Sequence, residues 1–135
     1  MKMFDVQGIE IRTAYERAFS YIADPTQLPK WANAFATVAN GRAMLRTPQG
    51  ELEIGLLVQS SAEHGTVDWL MTFPDGSVAT AFSRVMKLDA QYCVYTFVLT
   101  PPPVPLEQLE GALQAQSKTL AEELHNLKRI LENHG

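Results

Sequence analysis

Apolar and polar residues alternate through the middle of the chain, and this pattern predicts β-strands. The alternation occurs first over residues 4–12 and returns repeatedly between residues 36 and 100. Successive residues of a strand point to opposite faces, so the pattern is typical of a sheet with one buried face. Segment 36–46 is interpreted either as one strand or as a broken pair of strands. The region therefore predicts a meander of six or seven antiparallel strands.

Two short helices are predicted between the first strand and this meander. The first helix has an apolar stripe formed by Tyr15, Ala18, Phe19 and Ile22. Thr13 and Glu16 have the spacing of a capping box at its start. Asp24-Pro25 is expected to end this helix and to begin a second one, which ends near Trp31.

A long amphipathic helix is predicted over residues 105–133. Its apolar stripe has near-heptad spacing and consists of Leu106, Leu109, Leu113, Leu120, Leu124, Leu127 and Leu131. Gln116 and Ser117 interrupt the stripe at its middle. Either they contact water or a polar ligand edge inside a cavity, or a small rotation of the helix places them at its boundary.

Turn signals predict which side chains share a face of the sheet. They occur at Gln49-Gly50, near His64-Gly65, at Asp75-Gly76 and at Asp89-Ala90, and two-residue turns set the registers. The predicted inner face then carries Leu45, Leu52, Ile54, Leu56, Val58, Val67, Trp69, Met71, Phe73, Val78, Phe82, Arg84, Tyr95, Phe97 and Leu99. Packing the long helix against this face would form the core.

Composition limits the class of protein. The chain has 135 residues, 46% of them hydrophobic, and a formal net charge of -4, so residues 1–135 are predicted to form a single domain. Without a basic cluster, nucleic acid is not an expected partner. No apolar run could span a membrane or serve as a signal peptide. Cys93 is expected to be a buried thiol, and the predicted location is the cytoplasm.

The order of elements resembles a known superfamily. The local match consists of Ile9-Glu10-Ile11, then residues 16–25 (ERAFSYIADP), then Leu28-Pro29-Lys30-Trp31. These segments resemble the opening of polyketide cyclase/dehydrase-like members of the START/Bet v 1-like (SRPBCC) superfamily. The resemblance implies an α+β helix-grip fold, in which a sheet wraps around a long C-terminal helix. It also implies a cavity between the two for an apolar small molecule.

Eight residues are the predicted ligand-binding set at this cavity: Trp31, Trp69, Met71, Phe82, Arg84, Tyr95, Phe97 and Ser117. Arg84 is the sharpest candidate, because its place on an apolar face would let it bind a carboxylate or enolate oxygen with Tyr95. The alternative is that Arg84 lies at the rim of the sheet and extends into water. The aromatic residues are either core or pocket wall.

Three functions are compatible with these features. The favoured hypothesis is binding of a small apolar ligand with a polar or acidic end. The alternative is a cyclase, dehydratase or isomerase, in which Arg84 and Tyr95 would polarise a carbonyl, although the pattern offers no convincing base. In the third, the cavity is filled by side chains and the protein only interacts with partners. No cofactor is expected, and the histidines lack the spacing of metal ligands.

The predicted outer face carries an apolar band. It consists of Met44, Leu57, Leu70, Ala81 and Val98. A contiguous exposed patch often marks an interface, and one patch can pair with itself about a twofold axis. The band is interpreted either as the interface of a possible homodimer or as a flat, solvated face.

Overall fold

The computed structural model describes residues 4–47, 50–100 and 109–133, and in the last segment it describes side chains from residue 113 onward. The elements of this part of the chain are β1 (Asp5–Ile11), α1 (Tyr15–Ala23), α2 (Leu28–Trp31), β2 (Phe35–Ala39), β3 (Arg42–Thr47), β4 (Gly50–Ser61), β5 (Thr66–Thr72), β6 (Val78–Asp89), β7 (Tyr92–Leu99) and α3 (Leu109–Glu132). The predicted α+β class is confirmed. The first residues of the predicted long helix, 105–108, lie outside the described residues.

The strands form one antiparallel sheet in the order β1-β7-β6-β5-β4-β3-β2, so β1 and β2 are its edges. Helix α3 is tied to both edges. Lys128 Nζ donates to the Glu10 carbonyl of β1 at 2.8 Å. On its other side, Glu123 accepts a hydrogen bond from the Ala34 amide, just before β2, at 2.9 Å. The sheet therefore wraps around α3, and the predicted helix-grip arrangement is confirmed.

The segment between β1 and β2 follows the sequence signals in part. Asp24 Oδ1 accepts from the Thr26 amide at 3.0 Å, which starts a 3₁₀ turn (Pro25–Gln27) leading into α2. The predicted capping box is wrong, because α1 begins one residue later with Ala14 at the N-cap and no side-chain cap. The Thr13 hydroxyl is instead buried without a hydrogen-bond partner.

Segment 36–46 contains a hairpin. Asn40 and Gly41 have φ values of 55° and 76°, which a two-residue turn between antiparallel strands requires at both positions. Glycine reaches this region without strain, and asparagine does so more easily than most residues. The broken-pair interpretation of this segment is therefore correct, and the Asn-Gly pair is its sequence signal.

The predicted register of β5 and β6 is wrong by one residue. Trp69 lies opposite Ala81 rather than Phe82. The turn contains three residues, because Phe73 N donates to Ser77 O and Gly76 N donates to Phe73 O, both at 2.9 Å. Pro74 favours such a turn, since its fixed φ suits the first central position and Gly76 takes the left-handed conformation.

A second error compensates for the first at the next pair of strands. Phe82 lies opposite Val98 rather than Phe97, and a bulge shifts the register between Lys87 and Asp89. The two register errors cancel, so the side chains of β7 keep their predicted faces. Only the side chains of β6 lie on the face opposite to the predicted one. Ser83 and Val85 therefore face inward, where Phe82 and Arg84 were expected.

The register of β3 and β4 differs from the prediction by two residues, which leaves the faces unchanged. Leu45 lies opposite Leu52 rather than Ile54. On the outer face, Glu53 and Arg42 form an ion pair at 3.2 Å, and both side chains are 56% exposed. An ion pair this exposed contributes little to stability, about 0–1 kcal/mol.

The core lies between the sheet, α1 and α3. The leucine stripe of α3 is buried as predicted, at Leu113, Leu120, Leu124, Leu127 and Leu131. Cys93 is completely buried, and burial raises the pKa of its thiol. It therefore contributes to packing rather than to thiol chemistry.

Candidate functional site

Five of the predicted ligand-binding side chains lie together inside the fold. Trp69 and Met71 point inward from β5, and Tyr95 and Phe97 point inward from β7. Trp31, the last residue of α2, packs edge-on against Tyr95, with the ring centroids 6.4 Å apart. The interior of the molecule therefore contains an aromatic cluster built from the sheet and α2.

Three members of this cluster have polar atoms without a hydrogen-bond partner. They are the indole nitrogens of Trp31 and Trp69 and the hydroxyl of Tyr95. The three residues are 2%, 3% and 0% exposed, respectively. A buried donor that lacks an acceptor costs about 1–3 kcal/mol. Such atoms indicate where a water or a ligand oxygen could bind.

Tyr95 is suited to donate a proton in a hydrogen bond rather than to act as a base. Burial raises the pKa of its hydroxyl well above the ordinary value, an effect that the nearby Ser83 and Trp69 side chains only partly offset. Neither neighbour forms a hydrogen bond of good geometry with it, and Ser83 Oγ instead donates to the Val67 carbonyl at 2.6 Å. Tyr95 therefore remains neutral at physiological pH.

Arg84 and Phe82 lie outside this cluster, contrary to the prediction. Both belong to the strand that the register error turned over, and both face outward and are exposed. Arg84 donates from Nε to the His64 carbonyl at 3.0 Å, which matches the alternative of a rim position. The structure therefore separates Arg84 from Tyr95, and no guanidinium clamp forms on the inner face.

Ser117 is bound to strand β1. Its hydroxyl donates to Asp5 Oδ2 at 2.5 Å and accepts from Gln7 Nε2 at 3.1 Å, while Gln116 is exposed. Polar side chains of β1 therefore explain the interruption of the leucine stripe. A ligand at Ser117 would have to compete with these bonds.

A cavity of about 270 Å³ that opens to solvent lies between the α1–α2 connection and strands β2–β4, and half of the residues that line it are exposed. Its residues are Ala23, Pro25, Thr26, Val38, Ala39, Asn40, Gly41, Leu56, Val58 and Ser60. None of the eight predicted ligand-binding residues borders it. However, Val58 and Leu56 are the cross-strand neighbours of Trp69 and Met71. The cavity wall is thus one strand away from the unpartnered indole of Trp69.

The sequence reasoning missed Glu123, a buried acid on α3. It is 8% exposed, and burial raises the pKa of its carboxyl to about 7, although the hydrogen bond from the Ala34 amide opposes the shift. A signal existed in the sequence, because Glu123 stands three residues after Leu120 and four before Leu127, inside the leucine stripe. An acid at such a position is expected to be buried.

Comparisons with known proteins support the fold. No family model matches the chain, and no curated protein matches it. Among solved structures, XoxI from Bacillus cereus matches with a TM-score of 0.72 and 13% identity, covering 99% of this chain and 100% of that one. A START superfamily protein from Mycobacterium smegmatis matches with a TM-score of 0.65 and 11% identity, covering 95% and 98%.

A two-domain protein of a biosynthetic pathway contains the same fold. The di-domain ARO/CYC BexL of the BE-7585A biosynthetic pathway matches with a TM-score of 0.70 and 12% identity, covering 96% of this chain and 46% of that chain. These neighbours show that the chain has the START-like, polyketide cyclase-like fold that its sequence resembles.

Two structural features are absent from the described residues. None of the helices there combines the length and the apolar character needed to cross a bilayer. Within the same ranges, His, Cys, Asp and Glu side chains form no group of three or more that could hold a metal ion.

Proposed function

We propose that this protein binds a small apolar molecule that carries a hydrogen-bond-accepting oxygen at one end. The observation that carries the proposal is the buried indole N–H of Trp69, which lacks a hydrogen-bond partner and whose cross-strand neighbour Val58 lines the cavity. The cavity, about 270 Å³, is near the lower end of the volumes that bind drug-sized ligands, about 300–1,000 Å³. The expected ligand is therefore small.

The polar end of the ligand is expected to be neutral rather than acidic. Trp31, Trp69 and Tyr95 supply uncharged donors, and the cation once expected nearby, Arg84, lies on the other face. Burying a carboxylate without a cation is costly, whereas a carbonyl oxygen needs only hydrogen bonds. This arrangement supports a ketone, aldehyde, ester or similar group.

Three naphthalene derivatives test this proposal by isothermal titration calorimetry. 2-Acetylnaphthalene has a ketone, 2-ethylnaphthalene has nearly the same shape without the oxygen, and 2-naphthoic acid has a carboxylate. The ketone should bind the wild-type protein about tenfold more tightly than the hydrocarbon, the scale of one neutral hydrogen bond. The acid should bind more weakly than the ketone.

Substitutions then assign the effect to the aromatic cluster. Trp69→Phe removes the N–H and keeps an aromatic ring, so it should weaken the ketone to the level of the hydrocarbon. Arg84→Met, on the outer face, is the matched control and should change neither affinity. Equal affinities of ketone and hydrocarbon for the wild-type protein would contradict the proposal, as would a loss of ketone affinity in Arg84→Met alone.

An enzyme of isomerase or cyclase type is the second candidate, and Glu123 favours it. A buried carboxyl whose pKa is raised to about 7 has the proton affinity of a general base at neutral pH. If Glu123 removes a proton next to a ligand carbonyl, the protein should accelerate exchange of the methyl protons of 2-acetylnaphthalene in D₂O. Proton NMR measures this exchange, and Glu123→Gln should abolish the acceleration. A wild-type rate equal to the buffer rate would leave only the binding function.

A further inference from the structure

The polar atoms of the aromatic cluster are closed to solvent. The indole nitrogen of Trp31 and the hydroxyl of Tyr95 are buried without hydrogen-bond partners, and neither residue lines the cavity beside β2–β4. A ligand oxygen can therefore reach these atoms only if part of the surrounding structure moves. Trp31 is the last residue of α2, so a movement of the residues that follow it would also move its side chain.

The α2–β2 connection, which consists of residues 32–34, is held from two sides. On one side, Arg46 Nη1 donates to the Asn33 carbonyl at 2.6 Å, and the Arg46 amide donates to the Ala34 carbonyl at 2.8 Å. On the other side, the Ala34 amide donates to Glu123 Oε2 of α3 at 2.9 Å. Arg46 therefore joins the connection to the sheet, and Glu123 joins it to α3.

The contact with α3 depends on whether Glu123 is ionised. Its side chain is buried, and the adjacent Glu122 disfavours a second negative charge there. Lys30 of α2 and Arg46 of β3 are the cations on the elements that flank the connection, and within the described ranges neither forms an ion pair with Glu123. A buried carboxylate with one hydrogen bond is costly, whereas the protonated form is not. Ionisation therefore favours entry of water between α3 and the connection.

We propose that the α2–β2 connection is a gate to the aromatic cluster, and that ionisation of Glu123 opens it. Movement of the connection displaces Trp31, whose ring packs edge-on against Tyr95, and so exposes the unpartnered donors of both residues. Local opening of this kind leaves the rest of the fold intact. The regulation rests on the proposed binding site, but its test uses no ligand, so the two proposals can fail separately.

The direction and size of the pH effect follow from linkage. In the closed state, burial raises the pKa of Glu123 to about 7, and in the open state water returns the pKa towards its ordinary value. Between these two values the open state holds fewer protons, so its population rises with pH up to about 7 and is level above it. One pKa unit corresponds to a tenfold change in an equilibrium constant, so the open population should rise about 50-fold between about pH 5 and about pH 8.

Hydrogen exchange of the full chain tests the gate, measured by NMR and corrected for the intrinsic effect of pH on exchange. Protection of the Ala34 amide should fall about 50-fold between about pH 5 and about pH 8, and the indole N–H of Trp31 should follow the same curve. Glu123→Gln should abolish the pH dependence at both sites, because glutamine does not ionise. His125→Gln, at an exposed position of α3, is the matched control and should retain it.

A low concentration of urea separates gate opening from unfolding. Exchange through local opening is nearly independent of urea, whereas exchange through global unfolding accelerates with it. The amide of the buried Val85, which donates to the Gly65 carbonyl at 2.8 Å, reports global unfolding. At about pH 8, about 1 M urea should accelerate exchange at Val85 but not at Ala34.

Four results would each overturn the gate. The first is a protection of the wild-type Ala34 amide that does not change with pH. The second is a change that persists in folded Glu123→Gln, since another group would then cause it. The third is a Trp31 indole N–H that does not follow the Ala34 amide, since the movement would then stop short of the aromatic cluster. The fourth is a response of Ala34 to urea equal to that of Val85.

Discussion

Among the described residues, Glu123 has the most deeply buried carboxyl group. It lies among the leucines of α3 and accepts one hydrogen bond, from the Ala34 amide at 2.9 Å. Desolvation disfavours the charged form more than this bond favours it, so the pKa rises to about 7. The stability of the folded protein therefore depends on whether the Glu123 carboxyl is protonated.

The pH dependence of stability follows from this shift. Because the pKa of Glu123 is higher in the folded state than in the unfolded chain, its contribution is complete at acidic pH and is lost as pH rises through about 7. The free energy of unfolding should fall by about 2–3 kcal/mol between about pH 5 and about pH 8. Urea denaturation at a series of pH values measures it.

Glu123→Gln provides the control for this prediction. The amide oxygen of glutamine can still accept from the Ala34 amide, but the side chain does not ionise. The variant should lose most of the decline and be more stable than the wild type at alkaline pH. Parallel curves for the two proteins would show that Glu123 does not cause the dependence.

The face on which a single side chain lies could be predicted only where the register of its strand was predicted correctly. Trp69 and Tyr95 were placed inside correctly, because bulky side chains on β5 and β7 share the inner face. Arg84 was placed inside by an error in a turn, not by any property of arginine. An arginine is rarely buried without a partner. Its place on a predicted apolar face was therefore a sign that the predicted register of β6 was wrong.

At the scale of elements, the turns decide the faces. Alternation alone identified the strands. Leu57 lies opposite Leu70, the register that a two-residue turn at Glu63-His64 would give, although the turn there contains the four residues 62–65. The pattern could not count the residues in each turn. The three-residue turn that contains Pro74 shifted one register by one residue. Between β6 and β7 the turn lies at Ala90-Gln91 rather than Asp89-Ala90, which shifts the register by two, and the bulge after Lys87 reduces this to one.

The turn between β4 and β5 depends on a glycine. Gly65 has a φ of 76°, and a Cβ atom there would overlap the carbonyl oxygen of Val85. Gly65→Ala should therefore cost at least about 2 kcal/mol, because the backbone must move as well as adopt a strained conformation. Gly76→Ala is the control, since its φ is 89° but nothing lies within 4 Å of the added atom. It should cost only about 1 kcal/mol, and equal losses in chemical denaturation would contradict the steric argument.

Helix α3 is held mainly by its leucine stripe. Leu124 is 2% exposed, and Leu124→Ala should reduce the free energy of unfolding by about 2–5 kcal/mol, because a cavity replaces the side chain. His125→Ala, at the neighbouring exposed position, should cost less than about 0.5 kcal/mol. A loss below about 1 kcal/mol for Leu124→Ala would mean that the helix docks in a different rotation.

The inner face of the sheet is tightly packed over one part and borders a cavity that opens to solvent over another. Where α1 packs on β6 and β7, the inward side chains are completely buried, as at Val85 and Cys93. Beside β2–β4, the inner face instead borders the cavity of about 270 Å³. The sequence predicted a cavity through its resemblance to a fold, but strand patterns do not reveal where packing is incomplete. Packing depends on how the α1–α2 connection meets the sheet.

This division predicts opposite results for the same substitution at two valines of the inner face. Val58 lines the cavity, so the larger side chain of Val58→Phe can enter existing space at little cost in stability. Val67 is 0% exposed, so Val67→Phe must displace packed neighbours and should cost about 1–3 kcal/mol. Val58→Phe should also abolish binding of 2-acetylnaphthalene, because the ring occupies the space that the ligand needs. Thermal melts and calorimetry measure both effects. If Val58→Phe is as destabilising as Val67→Phe, or binds the ketone like the wild type, the cavity beside β2–β4 is not the ligand site.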